Sequence, residues 1–368
     1  MTSNLPLATG YFTHDLTSLT NPIKDAPETP DRLASIELML MAMGFGDQLR
    51  RYEVHEAPLP VVHLAHDPSY VQSLALASAG HVEALAKWQA VDTPVGPLSY
   101  RAALKSVGAV IEAIDAVMKR EIVNAFCAVR PPGHHAGRRS GGGFCYFNNT
   151  AIGALYAHKR WNLERVAVLD FDVHHGDGTE EILGSNPHFQ FYSLFQWPLY
   201  PNRLTEVVPS NVIRVPLEAG AGGEKLREVV ETVWLPGVEA FKPQLILLSA
   251  GFDGHVEEAM AQLKMEESDF AYMTGRLMDA AEVLCDGKLV SVLEGGYSLR
   301  SLSRSVMSHI ATLVNQRRKT EYRSAWVNSK NTSKKALSRA SFGLGRLMIL
   351  PIRVIPLWFS RRCLIPIL

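Results

Sequence analysis

The stretch that decides the fold is residues 170–178, which read DFDVHHGDG. The apolar run before it, residues 166–169 (VAVL), predicts a buried strand, and the glycines that follow allow the backbone to turn at the strand end. Residues i, i+2 and i+4 of a strand share one face, so Asp170, Asp172 and His174 are expected to project the same way. Carboxylates and imidazoles at this spacing indicate a metal site. An ordinary strand end with solvated aspartates and a chance pair of histidines is the alternative that this stretch alone leaves open.

Around this stretch, short apolar runs rich in β-branched residues alternate with amphipathic segments of helical length. A strand followed by a helix, repeated along the chain, predicts an α/β fold with a mostly parallel central sheet and helices on both faces. Binding sites in such sheets lie beyond the carboxyl ends of the strands. The predicted strands are residues 123–129, 166–171, 189–194, 212–215, 245–250 and 289–293, and the predicted helices are residues 30–43, 68–79, 98–119, 149–159, 224–241, 267–285 and 299–315.

The composition indicates a globular domain of enzyme size, with 368 residues, of which 47% are hydrophobic and 20% charged. The formal net charge of zero conceals an uneven distribution. Residues 317–368 contain 12 lysines and arginines against one acid, which leaves 25 basic and 36 acidic residues in 1–316. We therefore expect a catalytic domain over residues 1–316 and a basic, partly apolar extension over residues 317–368. The acidic charge of the main domain argues against its binding nucleic acid directly.

Cysteine usage and the first residues of the chain predict a cytoplasmic protein. The four cysteines contain no Cys-x-x-Cys pair, and the polar start lacks the basic and apolar regions of an export signal. Residues 344–368 are apolar but broken by arginines and prolines, so no membrane-spanning helix is predicted there. Their composition would suit contact with an anionic membrane surface, although a disordered extension, or one that packs on the main domain or on a partner chain, fits equally well.

A third metal ligand is predicted at the end of another strand. Residues 249–253 read SAGFD, and Asp253 is a natural partner for Asp172 and His174 around one ion. Two carboxylates and one imidazole leave coordination positions open for a substrate or a water molecule, as a catalytic site requires. This set of ligands suits zinc, iron or manganese.

Two adjacent histidines are candidates for proton transfer. Residues 130–136 read RPPGHHA and present His134 and His135 from a rigid turn. Histidine titrates near neutral pH, which suits it to general acid and base catalysis beside a metal-bound water. Asp170 and Asp177 are candidates to orient one imidazole each.

Two further segments supply a phenol and an aromatic wall. Residues 293–297 read LEGGY, and the Tyr297 hydroxyl could donate a hydrogen bond to a developing oxyanion. Residues 141–146 read GGGFCY and place Phe144 after glycines that let a ligand approach the backbone. Each segment alone also fits a surface turn, a helix cap or a core aromatic. Their combination in one chain is what favours a hydrolytic metal site.

In these motifs the sequence resembles the histone deacetylase superfamily, including the bacterial histone deacetylase-like amidohydrolases and the acetylpolyamine amidohydrolases. The resemblance runs from about residue 31 to residue 313. It implies the arginase-deacetylase fold and a hydrolase of acylated amines with one zinc ion per chain. The motifs, in the family's order, are RPPGHHA (130–136), GGGFCYFNN (141–149), DFDVHHGDGT (170–179), SAGFD (249–253) and LEGGY (293–297).

The resemblance also implies chemical roles for the polar residues. It makes His135 the group that takes a proton from water and later delivers one to the amine, with His134 as an electrostatic partner. It makes Tyr297 the hydrogen-bond donor to the substrate carbonyl. The implied zinc ligands are Asp172, His174 and Asp253, and the implied carboxylate partners are Asp170 for His134 and Asp177 for His135.

A substrate tunnel is implied as well. Phe144 and Tyr200, with Gly143 beside them, match the aromatic tunnel wall, and Asp92 matches a rim acid that holds the substrate backbone in some members. Such a tunnel admits an uncharged acylated amine and disfavours a charged free amine. A structural potassium ion is implied near Asp170, Asp172, His174, Ser193 and Leu194.

Three differences from the family pattern bear on substrate preference. Phe195 stands where the family usually has His, residues 201–203 (PNR) replace a glycine-containing turn, and residues 259–263 (AMAQL) replace a PLGGL stretch. Arg203 at the tunnel mouth argues against a polycationic ligand. We therefore expect a deacylase of acyl-lysine or a similar acylated amine. The alternatives are an acetylpolyamine amidohydrolase, a less favoured arginase-like hydrolase with two metal ions, and a catalytically silent metal-site binding protein; the oligomeric state stays open.

Overall fold

The computed structural model describes residues 8–18, 26–89 and 92–314. Its centre is one eight-stranded sheet with the strand order β2-β1-β3-β8-β7-β4-β5-β6. Every pair of neighbouring strands in this sheet is parallel. The strands are β1 (Thr9–Thr13), β2 (Leu49–Glu53), β3 (Asn124–Cys127), β4 (Val166–Asp170), β5 (Phe189–Gln196), β6 (Val212–Leu217), β7 (Leu245–Ala250) and β8 (Leu289–Leu293).

Helices connect the strands and cover the sheet. They are α1 (Asp31–Ala42), α2 (Leu59–Val62), α3 (Pro68–Ser78), α4 (Val82–Gln89), α5 (Ser99–Met118), α6 (Asn149–Trp161), α7 (Asp177–Leu183), α8 (Gly223–Val229), α9 (Leu235–Phe241), α10 (Glu267–Cys285) and α11 (299–314). Within the part of the chain that the structure describes, no helix is both long and apolar enough to cross a bilayer.

The core consists of two apolar layers, one on each face of the sheet. Val166 and Val168 of β4 pack in the layer that contains α5 and α6, whereas Ala167 and Leu169 pack in the layer that contains α10 and α11. Successive residues of a strand point to opposite faces, so a strand that is covered on both sides must be apolar throughout. This explains the continuous apolar runs in the sequence and confirms the prediction of helices on both faces.

Most predicted elements are present, and β7 and β8 have the predicted bounds. Strands β1 and β2 were not predicted. β2 (LRRYE) is the edge strand of the sheet and is largely exposed, so it lacks the apolar run that marked the other strands. The helix predicted over 224–241 contains a π-helical segment, Val230–Trp234, between α8 and α9. Pro236 lies in the first turn of α9, and its missing N–H disturbs the regular helical hydrogen bonds there.

The order of the strands gathers the candidate functional segments. β3, β8, β7 and β4 are consecutive in the middle of the sheet, and all run in the same direction. The loops after these four strands therefore leave the same edge of the sheet side by side, as expected for a parallel α/β fold. The predictions made for residues 317–368 lie outside the described residues.

Candidate metal centre and active site

Three of the predicted metal ligands converge in a buried cluster. Potential ligand atoms of Asp172, His174 and Asp253 all lie within 4.8 Å of one another. Asp172 and Asp253 are fully buried, and His174 is 7% exposed. The first two residues follow β4 and the third follows β7, which is the neighbouring strand in the sheet. The cluster therefore depends on the pairing of β4 with β7.

The backbone around Asp172 and His174 differs from the predicted strand. β4 ends at Asp170, so both ligands lie in the loop beyond it rather than on one face of a strand. They are brought together locally instead, because Asp172 Oδ1 accepts a hydrogen bond from the His174 backbone N–H at 2.9 Å. Asp and Asn side chains commonly stabilise turns in this way. Phe171 packs edge-on against Phe252 in the core, as its apolar character predicts.

The donor atoms of this triad fit a divalent cation. His174 Nδ1 lies 3.0 Å from Asp172 Oδ1 and 3.2 Å from Asp253 Oδ2. Ligands about 2.0 Å from a tetrahedral zinc ion are about 3.3 Å apart, so the spacing is suitable. Asp253 Oδ2 is buried and accepts no hydrogen bond from the described residues. Burial and the nearby Asp172 carboxylate raise the pKa of Asp253, and a bound cation would relieve both effects.

Glycine is required where the chain passes the triad. A Cβ atom on Gly295 would lie 2.1 Å from Asp253 Oδ2 and 2.6 Å from Asp172 Oδ2, which no side chain can tolerate. The Gly295 N–H donates a hydrogen bond to Asp172 Oδ2 at 2.8 Å. The first glycine of the LEGGY motif therefore has two functions: it leaves room for the carboxylates, and its backbone holds one of them.

The two adjacent histidines lie beside the triad with separate carboxylate partners. His134 Nδ1 is 2.9 Å from Asp170 Oδ2, and His135 Nδ1 is 2.8 Å from Asp177 Oδ1. The two imidazole rings are 4.0 Å apart, and the His135 ring is 5.9 Å from the ring of His174. The pairing of each histidine with its own aspartate is the arrangement that the sequence predicted.

The surroundings give the two histidines opposite charge preferences. Burial disfavours a charge on His134, but the carboxylates of Asp170 and Asp172 outweigh it and raise its pKa well above the usual range. Burial and the positive charge of His134 lower the pKa of His135 to about 4, although Asp177 acts in the opposite direction. The surroundings thus favour the charged form of His134 and the neutral form of His135.

Tyr297 lies on the loop after β8, with its ring held between two neighbours. The Arg32 guanidinium is 4.9 Å from the ring centroid, and the Phe144 ring meets it edge-on at 5.8 Å. Burial raises the pKa of Tyr297 well above 10, with a further contribution from the carboxylates of Asp253 and Asp172. The phenol thus lies near two carboxylates of the triad and keeps its proton, so that it can donate a hydrogen bond.

Two other predicted tunnel residues, Tyr200 and Gly143, lie close to the histidines. The Tyr200 ring is edge-on to His135 at 4.8 Å and to His174 at 6.1 Å. A Cβ atom on Gly143 would lie 2.4 Å from His135 Cδ2, so a larger residue there would collide with the imidazole. Asp92 Oδ1 accepts a hydrogen bond from the Gly143 N–H at 2.9 Å. Asp92 thus braces the glycine loop.

Comparison with known proteins identifies the family. The family model of the histone deacetylase domain matches residues 26–313, which include the triad, both histidines and Tyr297. The chain belongs to the histone deacetylase family. The resemblance seen in the motifs is thereby confirmed.

Relatives and a solved structure support this assignment. The histone deacetylase-like amidohydrolase of Pseudomonas aeruginosa is 35% identical over 287 residues, which cover 74% of this chain and 72% of the relative. The polyamine deacetylase HDAC10 of Danio rerio is 33% identical over 78% of this chain and 44% of its own length. Type-2 histone deacetylase 2 of Dictyostelium discoideum is 40% identical over 61% of this chain and 14% of its own length, so this chain spans less than half of two of these relatives.

The fold is confirmed by the crystal structure of the HDA15 HD domain. It matches this histone deacetylase family member with a TM-score of 0.74 and 29% identity, and the match covers 84% of this chain and 88% of that chain. The arginase-deacetylase fold expected from the motifs is therefore the fold of this protein.

One buried acid of this family member was missed by the sequence analysis. Glu294 Oε2 accepts hydrogen bonds from the backbone N–H groups of Gly133 at 2.7 Å and His134 at 3.1 Å. Its other oxygen accepts from the hydroxyls of Ser249 at 3.1 Å and Thr150 at 3.4 Å. A charged residue at the end of an apolar strand, inside the LEGGY motif, was the available signal. Glu294 joins the histidine loop to the β7 and β8 strand ends.

The position of Arg203 bears on the expected substrate preference. Its guanidinium Nη2 lies 3.2 Å from Asp177 Oδ2, whereas His135 contacts the other oxygen of the same carboxylate. The positive charge that was expected to repel polycations is thus partly balanced by the carboxylate that orients His135. Arg203 and Asp177 also line an open cavity of about 540 Å³ together with Glu180 and Glu181. Arg214 and His175 line the same cavity, so its charge is mixed, and the effect of Arg203 on polycationic ligands stays a prediction.

Three of the residues predicted to surround a potassium ion, Asp170, Ser193 and Leu194, lie on neighbouring strands of the sheet. Asp170 of β4 pairs with Ser193 of β5, and Leu194 follows directly. Ser193 Oγ is 2.9 Å from His175 Nδ1, and the His175 ring packs against Phe195 at 4.7 Å. Phe195, one of the differences from the family pattern, is therefore a core contact of β5. The potassium ion itself stays a prediction.

Proposed function

We propose that this member of the histone deacetylase family is a zinc-dependent amidohydrolase. It removes an acyl group, most simply acetyl, from lysine side chains or similar acylated amines. The observation that carries the proposal is the position of a neutral His135 and a protonated Tyr297 around one buried triad of ligands. A base, a hydrogen-bond donor and a cation site are the three parts that hydrolysis of an amide requires.

The triad of Asp172, His174 and Asp253 would hold the zinc ion, which when bound supplies a Lewis acid for the amide carbonyl and lowers the pKa of a water molecule. His135 acts as the general base. Its Nδ1 hydrogen is directed to Asp177, so Nε2 carries the lone pair that accepts the proton from water. His135 then returns a proton to the amine nitrogen as the carbon–nitrogen bond breaks.

His134 and Tyr297 act on developing charge. The protonated His134 lies beside His135 and supports negative charge near the triad, while Asp170 holds its ring in position. Tyr297 donates its hydroxyl hydrogen to the carbonyl oxygen of the substrate as that oxygen gains charge. The half-buried rings of Phe144 and Tyr200 flank the approach to these groups and favour the aliphatic part of an acylated amine.

Acetylpolyamine hydrolysis is the second candidate. The similarity to the polyamine deacetylase of Danio rerio supports it. Deacylation of acyl-lysine remains the first candidate, because the groups that act on the amide show no preference for a substrate with a second, cationic amine. A catalytically silent binding protein is disfavoured, because it would have no need for Tyr297 and the paired histidines.

The test compares substrates on the zinc-loaded full chain. Acetyl-lysine peptides should be turned over with a kcat/KM above that of acetylspermidine, and propionyl, longer acyl and trifluoroacetyl peptides define the acyl preference. Tyr297→Phe should lower kcat by about 10²–10³-fold with little change in zinc content. A large preference for acetylspermidine would favour the second candidate. No activity above that of Tyr297→Phe on any substrate would favour the silent binding protein.

We also propose that this protein is cytoplasmic. The three cysteines in the described residues, Cys127, Cys145 and Cys285, are buried and form no disulfide, which suits a reducing compartment.

A further inference from the structure

A second acid on the Asp253 loop reaches the Tyr297 loop. Glu258 lies five residues after Asp253 and is 8% exposed. Its Oε2 accepts hydrogen bonds from the backbone N–H groups of Tyr297 at 2.8 Å and Ser298 at 3.1 Å. Its Oε1 accepts from the N–H of Ala259 at 3.0 Å. Both carboxylate oxygens of a nearly buried side chain are therefore bound to backbone.

The other backbone groups of the Tyr297 loop have different partners. The Gly295 N–H is bound by Asp172 at 2.8 Å, and the Gly295 carbonyl accepts from the Phe252 N–H at 3.0 Å. The Gly296 carbonyl accepts from Arg32 Nε at 2.6 Å. Among the described residues, Glu258 is the side chain that binds the amides of Tyr297 and Ser298. Asp172 of the triad thus holds the segment just before Tyr297, and Glu258 holds the backbone amide of Tyr297 itself.

Glu258 binds the backbone just before a helix begins, and this position strengthens the contact. α11 begins at residue 299, directly after Ser298, and the first N–H groups of a helix have no partner within it. A carboxylate near this end is also favoured by the helix dipole. Loss of the carboxylate would leave the partly buried amides of Tyr297 and Ser298 without their acceptor, and the loop would move to satisfy them.

We infer that Glu258 is a positioning residue that places the Tyr297 phenol over the triad, an inference that rests on the function proposed above. One loop supplies both Asp253 and Glu258, so movement of the ligand loop also moves the hydrogen-bond donor. A displacement of about 1 Å of such a group lowers the rate by about 10²-fold. The neighbouring Glu257 is exposed and pairs with Arg304 at 2.8 Å, so it provides a matched control.

The first measurement is hydrogen exchange, which does not depend on turnover. In zinc-loaded Glu258→Ala, peptides that cover residues 294–300 should exchange about tenfold or more faster than in the wild type. Glu257→Gln should exchange as the wild type does. Equal exchange of this segment in Glu258→Ala and wild type would overturn the inference, whatever the activity. Faster exchange in Glu258→Ala, with no turnover by any form, would leave the contact intact and overturn only the proposed function.

The second measurement is a double-mutant cycle on kcat. Glu258→Ala should lower kcat on the order of 10²-fold with little change in KM or zinc content, and Glu258→Gln, which keeps one acceptor oxygen, should recover about tenfold of that loss. In a Tyr297→Phe background, Glu258→Ala should change kcat by less than about threefold, because the two residues act through one hydrogen bond. An equal loss in both backgrounds would mean that Glu258 has a purely structural role.

Discussion

The two adjacent histidines, His134 and His135, favour different charge states because their neighbours differ. His134 is surrounded by the carboxylates of Asp170 and Asp172, whereas His135 has one carboxylate and lies against the positively charged His134. Two titratable groups whose pKa values are driven apart are typical of an acid and base pair. The assignment of the base to His135 therefore follows from its surroundings.

Removal of the Asp177 charge should weaken that base. Asp177→Asn takes away the carboxylate that raises the pKa of His135, so this pKa falls further below about 4. We expect kcat/KM to fall by about 10²-fold or more and its acidic limb to move to lower pH. Rate profiles between pH 4 and 9 measure both effects.

The matched change for Asp177→Asn is Arg203→Gln, which removes the cation on the other side of Asp177. Loss of a positive charge near His135 should move the acidic limb slightly to higher pH, with a change in kcat below about threefold, because Arg203 is largely exposed. If the acidic limb of the pH profile moved in the same direction in both variants, the charges assigned to Asp177 and Arg203 would be contradicted.

Removal of one ligand should abolish metal binding. Asp253→Ala leaves two ligands, and we expect its zinc content after dialysis to be near zero, with turnover lost. Zinc at about 100 times its Kd should stabilise the wild type by about 2.7 kcal/mol and should not stabilise the variant. Thermal unfolding with and without zinc measures this difference. An equal rise in Tm in both proteins would place the ion elsewhere.

The spacing of the triad should also depend on Gly295. A Cβ atom at this position would collide with both carboxylates, so Gly295→Ala should lower zinc affinity by about tenfold or more. Gly275→Ala is the control, because a Cβ atom on Gly275 in α10 would meet only Thr312 Cγ2 at 3.7 Å. Competition with a chelator measures the affinities, and similar values for both variants would contradict the steric argument.

At the scale of elements, helix α7 joins the site to the edge of the sheet. It begins with Asp177, and one turn later Glu180 contacts His175 at 3.1 Å and forms a bidentate ion pair with Arg214 of β6. Burial would raise the pKa of Glu180, but His175 and Arg214 outweigh burial and lower it to about 2. α7 is thus held at the residue that orients His135 and at a second point three residues later.

The lowered pKa of Glu180 predicts a dependence of stability on pH. Its contribution is complete above the usual pKa of 4.5 and is lost as the pH falls toward about 2. Between pH 7 and pH 3, the free energy of unfolding of the wild type should therefore fall by about 2 kcal/mol more than that of Glu180→Gln. Urea unfolding at both pH values, in the same metal state, measures the difference. Equal falls in the two proteins would show that His175 and Arg214 do not lower the pKa of Glu180 in the folded protein.

At the scale of the whole molecule, the site is assembled from loops distant in sequence. The loops after β3, β4, β7 and β8 contribute the histidine pair, two ligands, the third ligand and the tyrosine, in that order. These strands are neighbours in the sheet although they are not all neighbours along the chain. Apolar layers on both faces fix the strands, so the rigid part of the protein holds the loop ends in place.

The basic extension is separate from this assembly in sequence, since the family match ends at residue 313. A chain ending at Asn315 should retain the turnover of the full chain within about twofold, because the described site residues lie between 92 and 297. Only the full chain should sediment with anionic vesicles if residues 317–368 bind a membrane surface. Equal sedimentation of both chains would end that hypothesis.

The sequence predicted the fold class, and it named site residues that the structure brings together, but it did not reveal how their surroundings hold them. Buried parallel strands must be apolar on both sides, so six of the eight strands were visible as runs, while the exposed edge strand β2 was not. The pairing of His134 with Asp170 and of His135 with Asp177 was implied by the resemblance to the family, since the motif alone showed only that both acids lie near a histidine pair. Glu258 was missed because its partners are backbone amides, which no side-chain pattern reveals, and Glu294 was missed because its partners are distant in sequence.

What the amino-acid sequence determined by itself was the family, the parallel α/β architecture and the set of chemical groups, because apolar periodicity and motif spacing are local properties of the chain. Only the tertiary structure decided how these groups are held. Asp172 and His174 lie in a turn beyond the strand, Arg203 contacts Asp177, and Glu258 binds the backbone N–H of Tyr297. The first of these contacts is local, whereas the other two join loops that follow different strands. They exist because of the order in which the strands lie in the sheet, and that order is set by the packing of the whole chain.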